Sequence, residues 1–163
     1  MEDNARHDDP VPPDCFLLEE IQALQSCEKH VLKSVHYYIW HNQPEAGAMP
    51  HRFLYAIELT FDTGESLILS SGEDSEAIHL VTAEDIMKTA RGLQRLHGKQ
   101  VIQRFAVDIQ PVWREVVGKT LQHIRLAQNE DGLYLNDAAL LDFNEHRVLI
   151  RLSEREGLLA GAY

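Results

Sequence analysis

The apolar positions of the chain repeat one strand, turn and strand pattern on either side of a helical segment. The first copy covers residues 53 to 70 and turns at Asp62-Thr-Gly64, and the second covers residues 138 to 153 and turns at Asn144-Glu-His146. In both copies an apolar strand ends on Phe, and the leucine-rich strand that follows ends on Ser. Short apolar runs bounded by turn residues are typical of β-hairpins. The repeat predicts two related, superposable antiparallel hairpins.

The segment between the two copies carries the period of a helix. Thr82-Ala-Glu-Asp85 resembles a capping box, and Gly98 is placed to end a helix in the left-handed conformation. These signals predict one helix over residues 83 to 97. At 100° per residue its expected inward side consists of Ile86, Met87, Ala90 and Leu93. The opposite side carries three cations, which form either a solvated face or a surface for an anionic partner: Lys88, Arg91 and Arg95.

The N-terminal part predicts an arm, a helix and a strand in that order. Residues 1 to 13 are polar, acidic and proline-containing, which favours a flexible arm. Asp14 is placed to cap a helix over residues 15 to 29, with an apolar stripe of Leu17, Leu18, Ile21 and Leu24. Residues 30 to 40 are rich in β-branched and aromatic side chains without a helical period, so they predict a strand.

Taken along the chain, these elements predict an α+β protein with a mainly antiparallel sheet, two related strand-turn-strand units and at least two packed helices. Further strands are expected at residues 101 to 107 and 120 to 127. The chain length of 163 residues suits one domain, over residues 14 to 163. We expect two half-units within it, 30 to 81 and 100 to 163, around the central helix.

Charge is distributed unevenly along the chain. Residues 1 to 80 hold 4 Lys and Arg against 15 Asp and Glu, and residues 81 to 163 hold 11 of each, so the net charge of −11 belongs to the first half. A negative field repels phosphate backbones and anionic lipid. We therefore expect no nucleic-acid or membrane partner, and we expect a basic protein partner or a homo-oligomer if the charge serves more than solubility.

The sequence also bears on location. It shows no basic segment followed by an apolar stretch at the start and no run of 18 apolar residues. On one helix Cys15 and Cys27 would be about 18 Å apart, beyond disulfide reach. Two unpaired thiols favour a reducing compartment. These features predict a soluble, cytoplasmic protein.

No motif in the sequence indicates catalysis, a cofactor or a metal. Nine histidines are present, but none forms a His-x-His or His-x-x-x-His pair that would supply two ligands from one surface. A nucleophile elbow and a cysteine-protease motif are also absent. We therefore expect no catalytic residues, no cofactor and no metal site.

Two groups of residues are candidate binding sites. Glu73, Asp74 and Glu76 cluster after a predicted strand, where they form either a solvated turn or a site for a hard cation or a basic partner. Tyr38 and Trp40 share one side of the aromatic strand, where they fill the core or form an open patch. The first hypothesis is a non-catalytic protein of immunity or adaptor type that binds a partner through its acidic half. The alternative is an enzyme or small-molecule binder with a pocket between the two hairpin units, lined by Tyr37, Tyr38, Trp40 and nearby histidines.

Overall fold

The computed structural model describes residues 11 to 42, 51 to 72, 74 to 97 and 102 to 163. Three helices lie in these ranges: α1 (Leu18–Ser26), α2 (Ala83–His97) and α3 (Pro111–Arg114). The same ranges contain nine strands: β1 (Leu32–Asn42), β2 (His51–Phe61), β3 (Ser66–Ser70), β4 (His79–Val81), β5 (Ile102–Ala106), β6 (His123–Arg125), β7 (Ala138–Asp142), β8 (Arg147–Ser153) and β9 (Gly157–Ala162). No helix among the described residues is long and apolar enough to cross a membrane.

All nine strands belong to one sheet. Its main path runs β4-β3-β2-β9-β8-β7-β6, and β1 pairs with both β2 and β5. The two halves of the path meet where β2 and β9 run parallel, with Leu54 opposite Gly157. The amide of Leu54 donates to the carbonyl of Glu156 over 2.8 Å, and within the described ranges this short parallel pairing joins the first half of the sheet to the second.

The predicted fold class, an α+β protein with a mainly antiparallel sheet, is wrong. Strands make up 44% of the described residues and helices 20%, and the sheet is a curled half-barrel of mixed type. Only two of the three helices have seven or more residues. Curvature and the parallel β2-β9 contact arise from pairing between segments about 100 residues apart in the chain, and local periodicity carries no signal for such pairing. The two expected half-units, 30 to 81 and 100 to 163, stay a prediction.

The two repeated segments both form antiparallel hairpins, β2 with β3 and β7 with β8. Their turns differ in length. The first encloses three residues between Phe61 and Glu65, whereas the second encloses two between Phe143 and His146. Each turn places one residue in the left-handed region, Gly64 at φ 83° and Asn144 at φ 80°. The sequence repeat therefore marks two hairpins whose turns are built differently.

The half-barrel has an apolar core on each side of β1 to β3. The larger core fills the inside of the curl and contains Trp113 of α3 and Leu24 of α1, with strand residues from both halves of the sheet. The smaller core lies on the other face of β1, β2, β3 and β5, under α2. At the bulge in β2, both Tyr55 and Ala56 face this second core. The predicted aromatic strand is thus covered on both faces.

Helix α2 has the predicted bounds and the predicted capping box. The Thr82 amide donates to Asp85 Oδ2 over 2.9 Å, and the Asp85 amide donates to Thr82 Oγ1 over 3.1 Å. Ile86 and Leu93 are buried as expected, but the inward placement of Met87 is wrong, because 57% of that residue is exposed. A helix lying on a sheet buries a narrow stripe, and Met87 lies beside that stripe. Gly98 lies outside the described residues.

Helix α1 is shorter than predicted. It covers Leu18–Ser26, and the N-cap is Leu17 in place of Asp14. Leucine has no side-chain acceptor to cap the helix. The Leu17 amide instead donates to Glu20 Oε1 in the first turn over 2.9 Å. Only Leu24 of the predicted stripe is fully buried; Ile21 is half-buried, while Leu17 and Leu18 are exposed. Residues 15 and 16 are extended and pair with residues 134 and 135. The helix therefore begins only at Leu18.

Two glutamates attach α1 to both ends of the main sheet path. Glu20 Oε2 accepts the Leu80 amide of β4 over 2.8 Å, and Glu28 Oε2, just beyond the helix, accepts the Ile124 amide of β6 over 2.9 Å. These amides point away from the neighbouring strand, so each carboxylate takes the place that another strand would occupy. The α1 segment therefore spans the open side of the half-barrel.

The contact between β2 and β9 yields a test. Gly157 has φ 77°, and a Cβ atom there would overlap the Leu54 carbonyl, whereas Gly64 has φ 83° with open space around its Cβ position. We expect Gly64→Ala to cost about 1 to 2 kcal/mol from the backbone conformation alone. Gly157→Ala should cost more than about 3 kcal/mol, because the overlap adds to the same conformational cost. Urea unfolding of the two variants measures the difference, and equal losses would contradict the close approach.

Candidate functional site

One cavity lies between the segment that precedes α1 and the turn that follows β3. Its volume is about 430 Å³. Three exposed carboxylates line it, those of Asp14, Asp74 and Glu76, together with Ser71 and His79. We call this cavity the acidic cleft. It contains two of the three acidic residues that the sequence singled out, Asp74 and Glu76; the third, Glu73, lies outside the described residues.

A buried asparagine holds the two walls of the acidic cleft together. Asn136 is 2% exposed. Its backbone amide donates to the Asp14 carbonyl, and its side-chain Nδ2 donates to the Pro13 carbonyl, both over 3.0 Å. Its backbone carbonyl accepts the Ile78 amide over 2.8 Å. Sequence reasoning missed Asn136, because it lies about 120 residues from Asp14 and belongs to no motif. The cleft exists only when these distant segments meet.

The acidic turn itself has an unusual backbone. Gly72 at φ 67° and Ser75 at φ 55° both occupy the left-handed region. Glycine adopts this conformation freely, whereas for serine it costs free energy. Ser75 Oγ is buried without a hydrogen-bond partner among the described residues. The turn therefore orients Asp74 and Glu76 at a cost that the surrounding structure must offset.

Acidic side chains outnumber basic ones in the lining of the acidic cleft. His79 is its single basic group among the lining residues, and its Nδ1 atom lies 3.3 Å from Glu20 Oε2. Within the described ranges, no group of three or more His, Cys, Asp or Glu residues is arranged to hold a metal ion. The described carboxylates are spread over the cavity walls, an arrangement that suits an extended cationic group.

Tyr38 lies in the smaller core, at a distance from the acidic cleft. It is 8% exposed, and its hydroxyl donates to Glu58 Oε1 over 2.9 Å. Arg104 donates to the same oxygen through Nε over 3.0 Å. Burial raises the pKa of Tyr38, and its hydrogen bond to Glu58 raises that pKa further. Burial acts to raise the pKa of Glu58 as well, but the hydrogen bonds from Arg104 and Tyr38 outweigh it and hold that pKa below its ordinary value.

Trp40 packs beside the same core. It is half-buried, and its ring meets Phe53 edge to face with centroids 5.4 Å apart. Tyr38 and Trp40 thus share the side of β1 that faces α2, as alternation along the strand predicted. The structure does not bring them together with Asp74 and Glu76.

A second, shallower cavity lies where β9 leaves β2. Its volume is about 310 Å³. Tyr37, Ile39 and Leu54 form one side, and Leu158 and Leu159 form part of the other. Tyr37 Oη accepts the indole N–H of buried Trp113 over 2.6 Å, which fixes the phenol ring at the floor. We call this cavity the inter-strand groove. It contains Tyr37 but neither Tyr38 nor Trp40.

Comparison of the chain with protein-family models, with curated proteins and with solved structures gave no match.

Glu58, which is buried and hydrogen-bonded to Tyr38 and to the exposed Arg104, predicts an acid-sensitive contribution to stability. The pKa of Glu58 lies below its ordinary value of 4.5 in the folded protein, so its contribution is present above that pH and is lost as pH falls through the folded pKa. Glu58→Gln removes the titrating group. We expect the free energy of unfolding to fall less steeply with decreasing pH in this variant than in the wild type.

Glu145→Gln, in the exposed turn between β7 and β8, serves as the matched control. Urea unfolding at a series of acidic pH values measures all three proteins. Parallel curves for Glu58→Gln and the wild type would show that Glu58 carries no shifted titration.

Proposed function

We propose that the protein is a non-catalytic binding protein, of immunity or adaptor type, that receives a cationic side chain of a protein partner in the acidic cleft. One observation carries the proposal: the carboxylates of Asp14, Asp74 and Glu76 line one cavity of about 430 Å³. A lysine or arginine side chain is long enough to reach into such a cavity while its backbone stays outside. A basic surface on the partner would meet the remaining negative charge of the first half.

Exposed carboxylates act mainly on the rate of encounter and on the choice of partner. Because Asp14, Asp74 and Glu76 are solvent-exposed, each ion pair with a partner contributes little to affinity at physiological salt. Their combined field accelerates the approach of a basic protein and disfavours acidic ones. Binding of this kind requires charge and shape only, which is why we infer no catalytic role for the cleft.

The inter-strand groove supports a second candidate function, the binding of a small apolar molecule. Its floor is apolar and aromatic, and Arg52 and Glu156 lie at its rim. Such a combination of apolar lining with a few polar groups is common in ligand pockets. A ligand resting on Tyr37 would shift the NMR resonance of the Trp113 indole N–H, which donates to the Tyr37 hydroxyl. Addition of small apolar compounds without any change in that resonance would remove this candidate.

The acidic-cleft proposal predicts a charge-dependent association rate. Asp74→Lys with Glu76→Lys reverses two exposed charges. We expect association with a short lysine-rich peptide to slow by about tenfold or more, and association with the wild type to slow as salt is raised. Stopped-flow fluorescence measures both rates.

The control variant changes net charge equally at another place. Glu145→Lys with Glu154→Lys also reverses two exposed carboxylates, but on the turns of the second half of the sheet. It should slow association much less, because its charges do not line the cleft. Equal slowing in both variants, or rates that do not respond to salt, would overturn the proposal.

A further inference from the structure

The sheet formed by β6, β7, β8 and β9 has one face that belongs to neither apolar core. Alternate residues of its strands point into the large core, among them Leu141, Val148, Ile150 and Leu158. Because side chains of a strand alternate between the two faces, the residues between them point outward. The leucines and arginines among these outward residues are Arg125, Leu140, Arg147, Leu149, Arg151 and Leu159. We call these six residues the arginine-leucine face; His123 of β6 points outward at its edge.

Strand register places the leucines and the arginines next to one another. Leu140 lies directly opposite Leu149, and Arg125 lies opposite Leu140 on the other side. Arg151 lies opposite Leu159. The three leucines are half-buried and the three arginines are exposed. None of the six contributes to either core, so the leucines form an apolar strip bordered by cations.

The charge of this face is positive. Asp142, which is 5% exposed, is the acidic residue between the arginines. Arg125 Nη2 lies 3.3 Å from Asp142 Oδ2, and Arg147 Nε lies 3.7 Å from Asp142 Oδ1. Arg151 forms no ion pair with the described residues. Three cations around one buried carboxylate leave an excess of positive charge on a protein whose net charge is −11.

We propose that the arginine-leucine face docks against the acidic first half of a second copy of this chain. Charge complementarity selects this occupant, because residues 1 to 80 carry 15 acidic residues against 4 basic ones. The same half exposes apolar groups beside its acids: Leu17 is 40% exposed and Leu18 is 65% exposed. Each copy therefore offers both an acidic surface with leucines and a basic surface with leucines.

Docking of this kind rests on the proposed function, because both require the acidic half to be a binding surface. The partner differs: here it is a second copy of the chain. Repulsion between two copies of net charge −11 acts over long distances, and at physiological salt the screening length is about 8 Å. Pairs in direct contact across the interface are screened much less. Self-association is thus expected at physiological salt and should weaken at about 1 M salt, where the screening length is about 3 Å.

Sedimentation velocity with a pair of charge-reversed variants tests the proposal. Arg151→Glu reverses the one arginine of the face that does not hold Asp142, and Asp74→Lys with Glu76→Lys reverses charge on the acidic half. We expect the wild type to associate with rising concentration and each variant alone to associate at least about tenfold more weakly. An equimolar mixture of the two variants should associate again, since each supplies the charge that the other has lost.

Arg91→Glu on the exposed side of α2 is the matched control, and it should associate as the wild type does. Thermal unfolding verifies that every variant is folded, and Arg151→Gln serves as a milder change if Arg151→Glu is not. A wild type that stays monomeric at millimolar concentration would overturn the proposal, as would a mixture that fails to associate. Arg151→Glu keeps the acidic cleft, so its binding of a lysine-rich peptide reports on the proposed function separately.

Discussion

The half-barrel depends on hydrogen bonds that amides at the edges of its sheet donate to two side-chain carboxylates. Glu20 and Glu28 accept the outward amides of β4 and β6, the two ends of the main strand path. A curled sheet that does not close leaves a row of unpaired amides at each end. Both hydrogen bonds are partly buried, and the cost of losing the acceptor of a fully buried amide, about 1 to 3 kcal/mol, is the upper limit for each. Placement of α1 across the open side therefore stabilises the sheet and covers the large core at the same time.

Features encoded by neighbouring residues could be predicted from the sequence. The capping box of α2 needs only Thr82 and Asp85, and the hairpin turns need only the residues between two strands, so local sequence predicts both. The curl of the sheet and the shortened α1 could not be found in this way. Both arise from contacts between distant segments, such as Leu54 with Gly157 and the Cys15 bridge to Leu135. The exposure of Met87 depends likewise on how α2 lies on the sheet.

The candidate site, too, combines features that local sequence predicts with features that depend on distant contacts. Composition identified Asp74 and Glu76 as an acidic cluster, and strand alternation placed Tyr38 and Trp40 on one side of β1. Asp74 and Glu76 line a cavity only because Asn136 joins the segment before α1 to the segment before β4. The glutamate that holds His79, a residue of the cleft wall, is Glu20. The closure of the half-barrel and the shape of the acidic cleft thus share one side chain.

Amide hydrogen exchange at Leu80 and Ile124 tests the central claim most directly. Both amides lie on strands at the ends of the sheet path, where an unpaired amide would exchange rapidly. The account predicts slow exchange at both positions in the wild type, with Leu80 losing its protection in Glu20→Ala and Ile124 losing its protection in Glu28→Ala. Rapid exchange of the two amides in the wild type, or protection that is unchanged in both variants, would contradict the closure of the half-barrel by α1.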